Sequence, residues 1–156
     1  MFANGLILSH ILYHAQVYGG CSEELLSALQ IQQNRAARLV CRLPWRTRTS
    51  SLLQQMGWMN VRQIVSYYSV ISIFKTQQSG LPKYIHNLVS IPFKVGTRMA
   101  DSGGIRDIRN ITSRIGMSSF IPRTVSLWNR MPATIRMEES MAIFSTKLRV
   151  WITNNI

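Results

Sequence analysis

Three guanidinium groups recur at Arg35, Arg38 and Arg42, and two more follow at Arg46 and Arg48 with Trp45 just ahead of them. At 100° per residue the first three fall close together on one side of a helix. A planar guanidinium fork matches phosphate oxygens, and an indole can stack on a base or a sugar. That mixture is the chemistry of single-strand and RNA binding. Arg106, Arg109 and Arg114 form a second basic run. The expected nucleic-acid-binding set is therefore Arg35, Arg38, Arg42, Trp45, Arg46, Arg48, Arg106 and Arg109. A plainer account is that cations late in a helix only offset its dipole and keep the surface hydrated. The charge of the whole chain favours the first reading.

That charge is unusual. Eighteen Lys and Arg face six Asp and Glu, a formal balance of +12, and fourteen of the cations are Arg. Such a balance favours a polyanionic partner, RNA or DNA, and says nothing about the fold. Anionic lipid fits less well, because no polybasic cluster adjoins an apolar anchor.

Catalytic constellations are missing. Two-metal phosphoryl chemistry needs paired carboxylates, whereas Asp101 and Asp107 are the only aspartates and are not adjacent. The acids are too few for a nuclease. Neither Cys21 nor Cys41 sits in a recognisable nucleophile signature, and a Cys41 thiol activated by Arg38 or Arg42 is a less economical reading than an ordinary half-buried cysteine. No G-x-x-x-x-G-K-[ST] loop is present. His10 and His14 are spaced to share a helix face and could gather Cys21 and Cys41 around a metal, but the close Cys-x-x-Cys pairs of zinc sites are absent. The expectation is no enzyme, no cofactor, no metal and no small-molecule substrate.

The elements that must position the arginines read as helices. With 46% apolar residues the chain is ordinary for a folded protein, and its length suits one domain over 1–156. Residues 2–17 are apolar but lack a basic leading region and contain Asn4, His10, His14 and Gln16, so they read as a helix of a soluble protein and not a signal or membrane segment. Two cysteines fit a reducing compartment, nucleus or cytoplasm.

Ser22 can cap a second helix, with Glu23 and Glu24 on its first turn, that ends before Pro44. Its Leu25, Leu26, Leu29, Ala36, Leu39 and Val40 share a broad arc opposite the arginines. A short helix at 51–56 is closed by Gly57, and Asn60 can cap another from Val61 to about Thr76. That one is apolar nearly all round, with only Arg62, Ser66 and Ser69 as a polar strip, and so belongs in a core. Pro82 can start a short helix. Over 90–118 the periodicity fails, which predicts one long basic loop. Helix resumes near Ser119. Asn129 and Pro132 favour a turn, and Ser140 is placed to cap a last helix burying Phe144, Leu148 and Trp151. The fold expected is mainly α, a single-domain irregular bundle of about five to seven helices. Trp58, Trp128 and Trp151 read as core, and Ile143 and Val150 lie off the main apolar stripe of the last helix.

The string Leu127-Trp128-Asn129-Arg130-Met131-Pro132, followed by Phe144 and Lys147-Leu148, resembles the closing motif of non-LTR (LINE-type) retrotransposon polyproteins, S-F-x-x-R-x-x-x-L-W-N-x-L-P and then F-K-x-x-L. Upstream, Tyr13 and Tyr18-Gly19 sit where that family tends to have Y-G-x-x-V-W-G, with His14 and Tyr18 as departures. Gln33-Asn34-Arg35-Ala36-Ala37-Arg38 is similar to its Q-N-[RK]-A-x-R helix, and Met56-Gly57-Trp58 and Leu81-Pro82-Lys83-Tyr84-Ile85 to its G-W and P-x-Y-[IL] blocks. The blocks keep their order over nearly the whole chain. The resemblance implies the region beyond the palm of a reverse transcriptase, without its catalytic aspartates, fingers or palm. It also implies RNA or DNA, and the polymerase portion of a retroelement protein, as partners. A second expectation is a purely structural packing element of that lost polymerase.

Overall fold

The computed structural model describes residues 8–44, 46–90, 98–106 and 113–156, and among them the secondary structure is helical with no strand. The chain gathers into two compact units, Met1–Val65 and Ser66–Ile156. The helical segments number eleven among the described residues, more than the five to seven expected. Five of them are single turns of four or five residues, too short to leave a periodic signature.

The first unit begins with α1 (Ser9–Leu12) and α2 (Ala15–Tyr18), where one continuous helix was expected. Tyr13 leaves the helical region with ψ 115°, and His14 is left-handed at φ 49°, ψ 37°. His10 and His14 consequently do not share a helix face. The Tyr18 hydroxyl donates to the Ile11 carbonyl, which in an unbroken helix would serve the Ala15 N–H. Burial of this phenol pushes its pKa up to about 12.

Helix α3 (Glu23–Cys41) starts as the sequence suggests, with Ser22 accepting from the Leu25 N–H and Glu23 and Glu24 on the first turn. Its buried side is another matter. Leu26, Gln33 and Ala37 are buried, whereas Leu25, Leu39 and Val40 are 58%, 78% and 41% exposed. The turn that precedes α5 (Val61–Ser79) decides this. Gln33 donates to the Met59 carbonyl at 2.8 Å, and the Gln30 side-chain oxygen accepts from the Val61 N–H at 2.8 Å. Gln30 also donates to Gln33 at 2.9 Å, so the two amides satisfy one another as they bracket the turn. Ala37, fully buried, packs with Leu52, Leu53 and Trp58 of α4 (Thr49–Met56) and its exit. A larger side chain there would hold the partners off. Gly57 closes α4 at φ +63°, and Asn60 and Gln63 form a reciprocal cap on α5 at 2.8 and 3.0 Å.

The second unit is organised around the later part of α5. Val70, Ile73 and Phe74 meet Val125 and Trp128 of α9 (Phe120–Arg130) and Phe144, Leu148 and Ile152 of α11 (Met141–Asn155) in one core. The Phe74 and Phe144 rings stack with centroids 3.9 Å apart, and Trp128 lies 5.8 Å from Phe144. Ser69, read as part of an exposed strip, is buried and accepts from Arg123 at 3.5 Å. Trp128 is buried as expected, and Trp151 is partly buried against the same core. Ile143 and Val150 are 48% and 59% exposed.

The interval 90–118 contains two helical turns, α7 (Arg98–Asp101) and α8 (Arg114–Ser118), while 91–97 and 107–112 lie outside the described residues. What holds its middle is the pair Trp128-Asn129. The indole N–H donates to the Gly103 carbonyl at 2.9 Å. The Asn129 amide takes both backbone groups of Ile105, accepting from its N–H at 3.0 Å and donating to its carbonyl at 2.7 Å. Asn129 is thus not a turn residue: it belongs to α9, and the turn comes at Met131-Pro132. Arg136, at the end of α10 (Ala133–Arg136), adds a bond to the Ser102 hydroxyl at 2.9 Å. Ser140 stands at the start of α11 but makes no side-chain cap, its carbonyl instead accepting from Phe144 N at 2.8 Å. The remaining helix, α6 (Lys83–Val89), buries Val89 alone.

Two stability effects are expected. Asn129→Ala leaves the N–H and carbonyl of buried Ile105 unpaired and should cost about 2–4 kcal/mol in urea unfolding. A loss under about 0.5 kcal/mol would mean that water replaces the amide. Arg42 closes α3 in the left-handed region, at φ 52°. Arg42→Gly should therefore stabilise the fold by roughly 1 kcal/mol, and an unchanged urea midpoint would refute that strain.

Candidate nucleic-acid interface

Five of the eight nominated residues lie among the described residues of the first unit. Arg35 is exposed on α3, one turn before Arg38. Arg38 is half-buried and donates to the Thr47 carbonyl at 3.3 Å. That bond ties the end of α3 to the segment carrying Arg46 and Arg48, so a run that is merely contiguous in sequence is folded back on itself. The remaining cost is visible at the Arg38 Nε, which is buried without a hydrogen-bond partner. Arg42 is exposed, and its left-handed backbone turns the chain off the helix axis. Its N–H and that of Leu43 satisfy the Leu39 and Arg38 carbonyls at 3.3 and 3.1 Å. Arg46 and Arg48 are exposed, and Arg48 occupies the cap position of α4 without a side-chain cap.

The other nominated residues divide differently. Trp45 and Arg109 lie outside the described residues. Arg106 belongs to the second unit, half-buried beside the pinned Ile105. The structure therefore gathers Arg35, Arg38, Arg42, Arg46 and Arg48 around one helix end and places Arg106 in a separate setting.

Electrostatics reinforce the first cluster. Between Leu25 and Val65 the chain carries six arginines and no carboxylate. The only acids of this unit are Glu23 and Glu24 at the opposite end of α3, and Glu23 pairs with Arg62. Part of the charge at the helix end offsets the carbonyl dipole. Three exposed guanidiniums beyond the last helical turn (Arg42, Arg46 and Arg48) exceed what that dipole requires.

The same unit holds a cleft of about 420 Å³ bordered by Ser27, Gln30, Thr49, Ser50 and Arg62, and none of the nominated residues lines it. Among the described residues no group of three or more His, Cys, Asp or Glu side chains could hold a metal ion. Among them, too, no helix is long and apolar enough to cross a membrane. Sequence reading passed over Arg123 and Arg130, which line a cleft of the second unit together with Ser126. The signal was present, since 123, 126 and 130 repeat the spacing of 35, 38 and 42. Reading this stretch as a core-packing motif hid it. In comparisons with known proteins, no family model, curated protein or solved structure matches this chain.

Proposed function

We propose that the chain is a non-catalytic nucleic-acid-binding module that grips RNA or DNA backbone through the arginines at the end of α3. The observation that carries this reading is the cluster Arg35, Arg42, Arg46 and Arg48, exposed and with no carboxylate in the chain between Leu25 and Val65. Phosphates are the natural counter-charge for it. The resemblance to the region beyond the palm in non-LTR retrotransposon proteins supports the same partner. It suggests a truncated remnant working inside the cell, in nucleus or cytoplasm, beside the polymerase portion of a retroelement protein. No enzymatic activity is proposed.

Arg38 is the poorest site for a test, because its bond to Thr47 also holds the fold. The triple variant Arg35→Gln, Arg42→Gln, Arg48→Gln spares that bond. Its affinity for labelled single-stranded RNA or duplex DNA should fall, and the slope of log affinity against log salt should flatten by about 0.7–0.9 for each phosphate no longer neutralised. A folded triple variant with unchanged affinity and slope would remove α3 from the interface.

A second reading is favoured by one observation, the exposed apolar side of α3. Leu25, Leu39 and Val40 repeat along one face and are uncovered. A packing element without its neighbour would look like this, and would associate in solution. Sedimentation should then reveal oligomers that Leu25→Gln with Leu39→Gln dissolves. A folded monomer at tens of micromolar concentration would argue against it.

A further inference from the structure

The second unit carries a cleft of about 380 Å³ along one face of α9, and two of its walls are cationic. Arg123 and Arg130 are seven residues apart, so both project from the same side of the helix about 10.5 Å apart along its axis. Ser126 lies between them, and Ser66 faces them from α5. No carboxylate side chain lines the cleft. Arg123 is held in place, donating to the Ser118 carbonyl at 3.3 Å and the Ser69 hydroxyl at 3.5 Å. Arg130 is exposed at the mouth. One guanidinium is therefore pre-positioned and the other can swing, with hydroxyl donors between them.

The rest of the lining is apolar, including Met117 and Leu127. Met117 is 56% exposed, and a thioether is a favourable contact for an aromatic ring. The volume falls in the range of small-ligand sites. We infer that this cleft binds one nucleotide unit, its phosphate between Arg123 and Arg130 with the Ser66 and Ser126 hydroxyls, and its base against Met117 and Leu127. A dianionic phosphate suits two guanidiniums better than a carboxylate does, since the planar forks can engage separate oxygens. This site is independent of the α3 arginines, so either can fail without the other.

The test uses the full chain at low salt, titrated calorimetrically with 5′-AMP, inorganic phosphate and adenosine. AMP is expected to bind saturably and more tightly than phosphate, and adenosine not at all. Arg130→Gln should weaken AMP binding about tenfold. Lys83→Gln removes an exposed charge of the same unit away from the cleft and should change it less than about twofold. Met117→Ala, at the exposed rim, should weaken AMP and leave phosphate untouched, which serves as the test if Arg130→Gln proves unfolded by circular dichroism. A short oligo(A) that displaces AMP identifies a strand as the source of the nucleotide unit, and AMP binding that resists the oligomer identifies a free nucleotide. No saturable AMP binding, equal losses in Arg130→Gln and Lys83→Gln, or phosphate binding as tightly as AMP would each overturn the assignment.

Discussion

Eighteen cations share six carboxylates, and the packing of this protein follows from that shortage. Two ion pairs are formed among the described residues, Arg62 with Glu23 and Lys147 with Glu138. Arginines that must approach the interior therefore turn to neutral oxygens. Arg38 uses the Thr47 carbonyl, Arg123 the Ser118 carbonyl and Ser69 hydroxyl, and Arg136 the Ser102 hydroxyl. A neutral acceptor satisfies geometry and leaves the charge uncompensated. Arg136 registers the consequence, since burial pulls its guanidinium below the ordinary arginine range, and its Nε has no partner.

Side-chain amides do the bracing that carboxylates would do elsewhere. In the first unit Gln30 and Gln33 hold the Met59–Val61 turn, and in the second Asn129 holds both backbone groups of Ile105. An amide donates and accepts at once, so it can stand in for a neighbouring backbone without importing a charge. Trp128 works beside Asn129 by the same logic. Its buried indole needs one acceptor, and the Gly103 carbonyl supplies it. The Trp-Asn pair thus does two jobs in adjacent residues, filling the core and fastening an irregular segment to it.

The arrangement leaves positive charge at the surface with little to neutralise it. At the end of α3 that charge is concentrated by a chain reversal, which the Arg38–Thr47 bond maintains. On α9 it is divided between a fixed arginine and a freer one on either side of two hydroxyls. Both settings meet an anion with prepared donors, so less ordering entropy is lost on binding than with lysines on mobile stems.

Helix type and caps were legible in the sequence. Ser22, Gly57 and Asn60 mark their helices because capping is a local matter of one side chain and the next few backbone groups. The burial of Phe144, Leu148 and Trp128 was legible too, because large apolar groups at helical spacing have few other fates. Which side of α3 faces inward was not. The leucine arc is the better apolar surface, yet the helix buries Gln33 and Ala37, since a turn elsewhere in the chain needed those amides and a neighbouring Trp needed the space. The break at His14, the role of Asn129 and the second arginine pair on α9 were hidden for the same reason. Composition and spacing determined a helical, strongly basic protein without a catalytic acid pair. Tertiary structure alone decided which polar groups face inward, because a buried backbone group must find its partner wherever the fold brings one within hydrogen-bond reach.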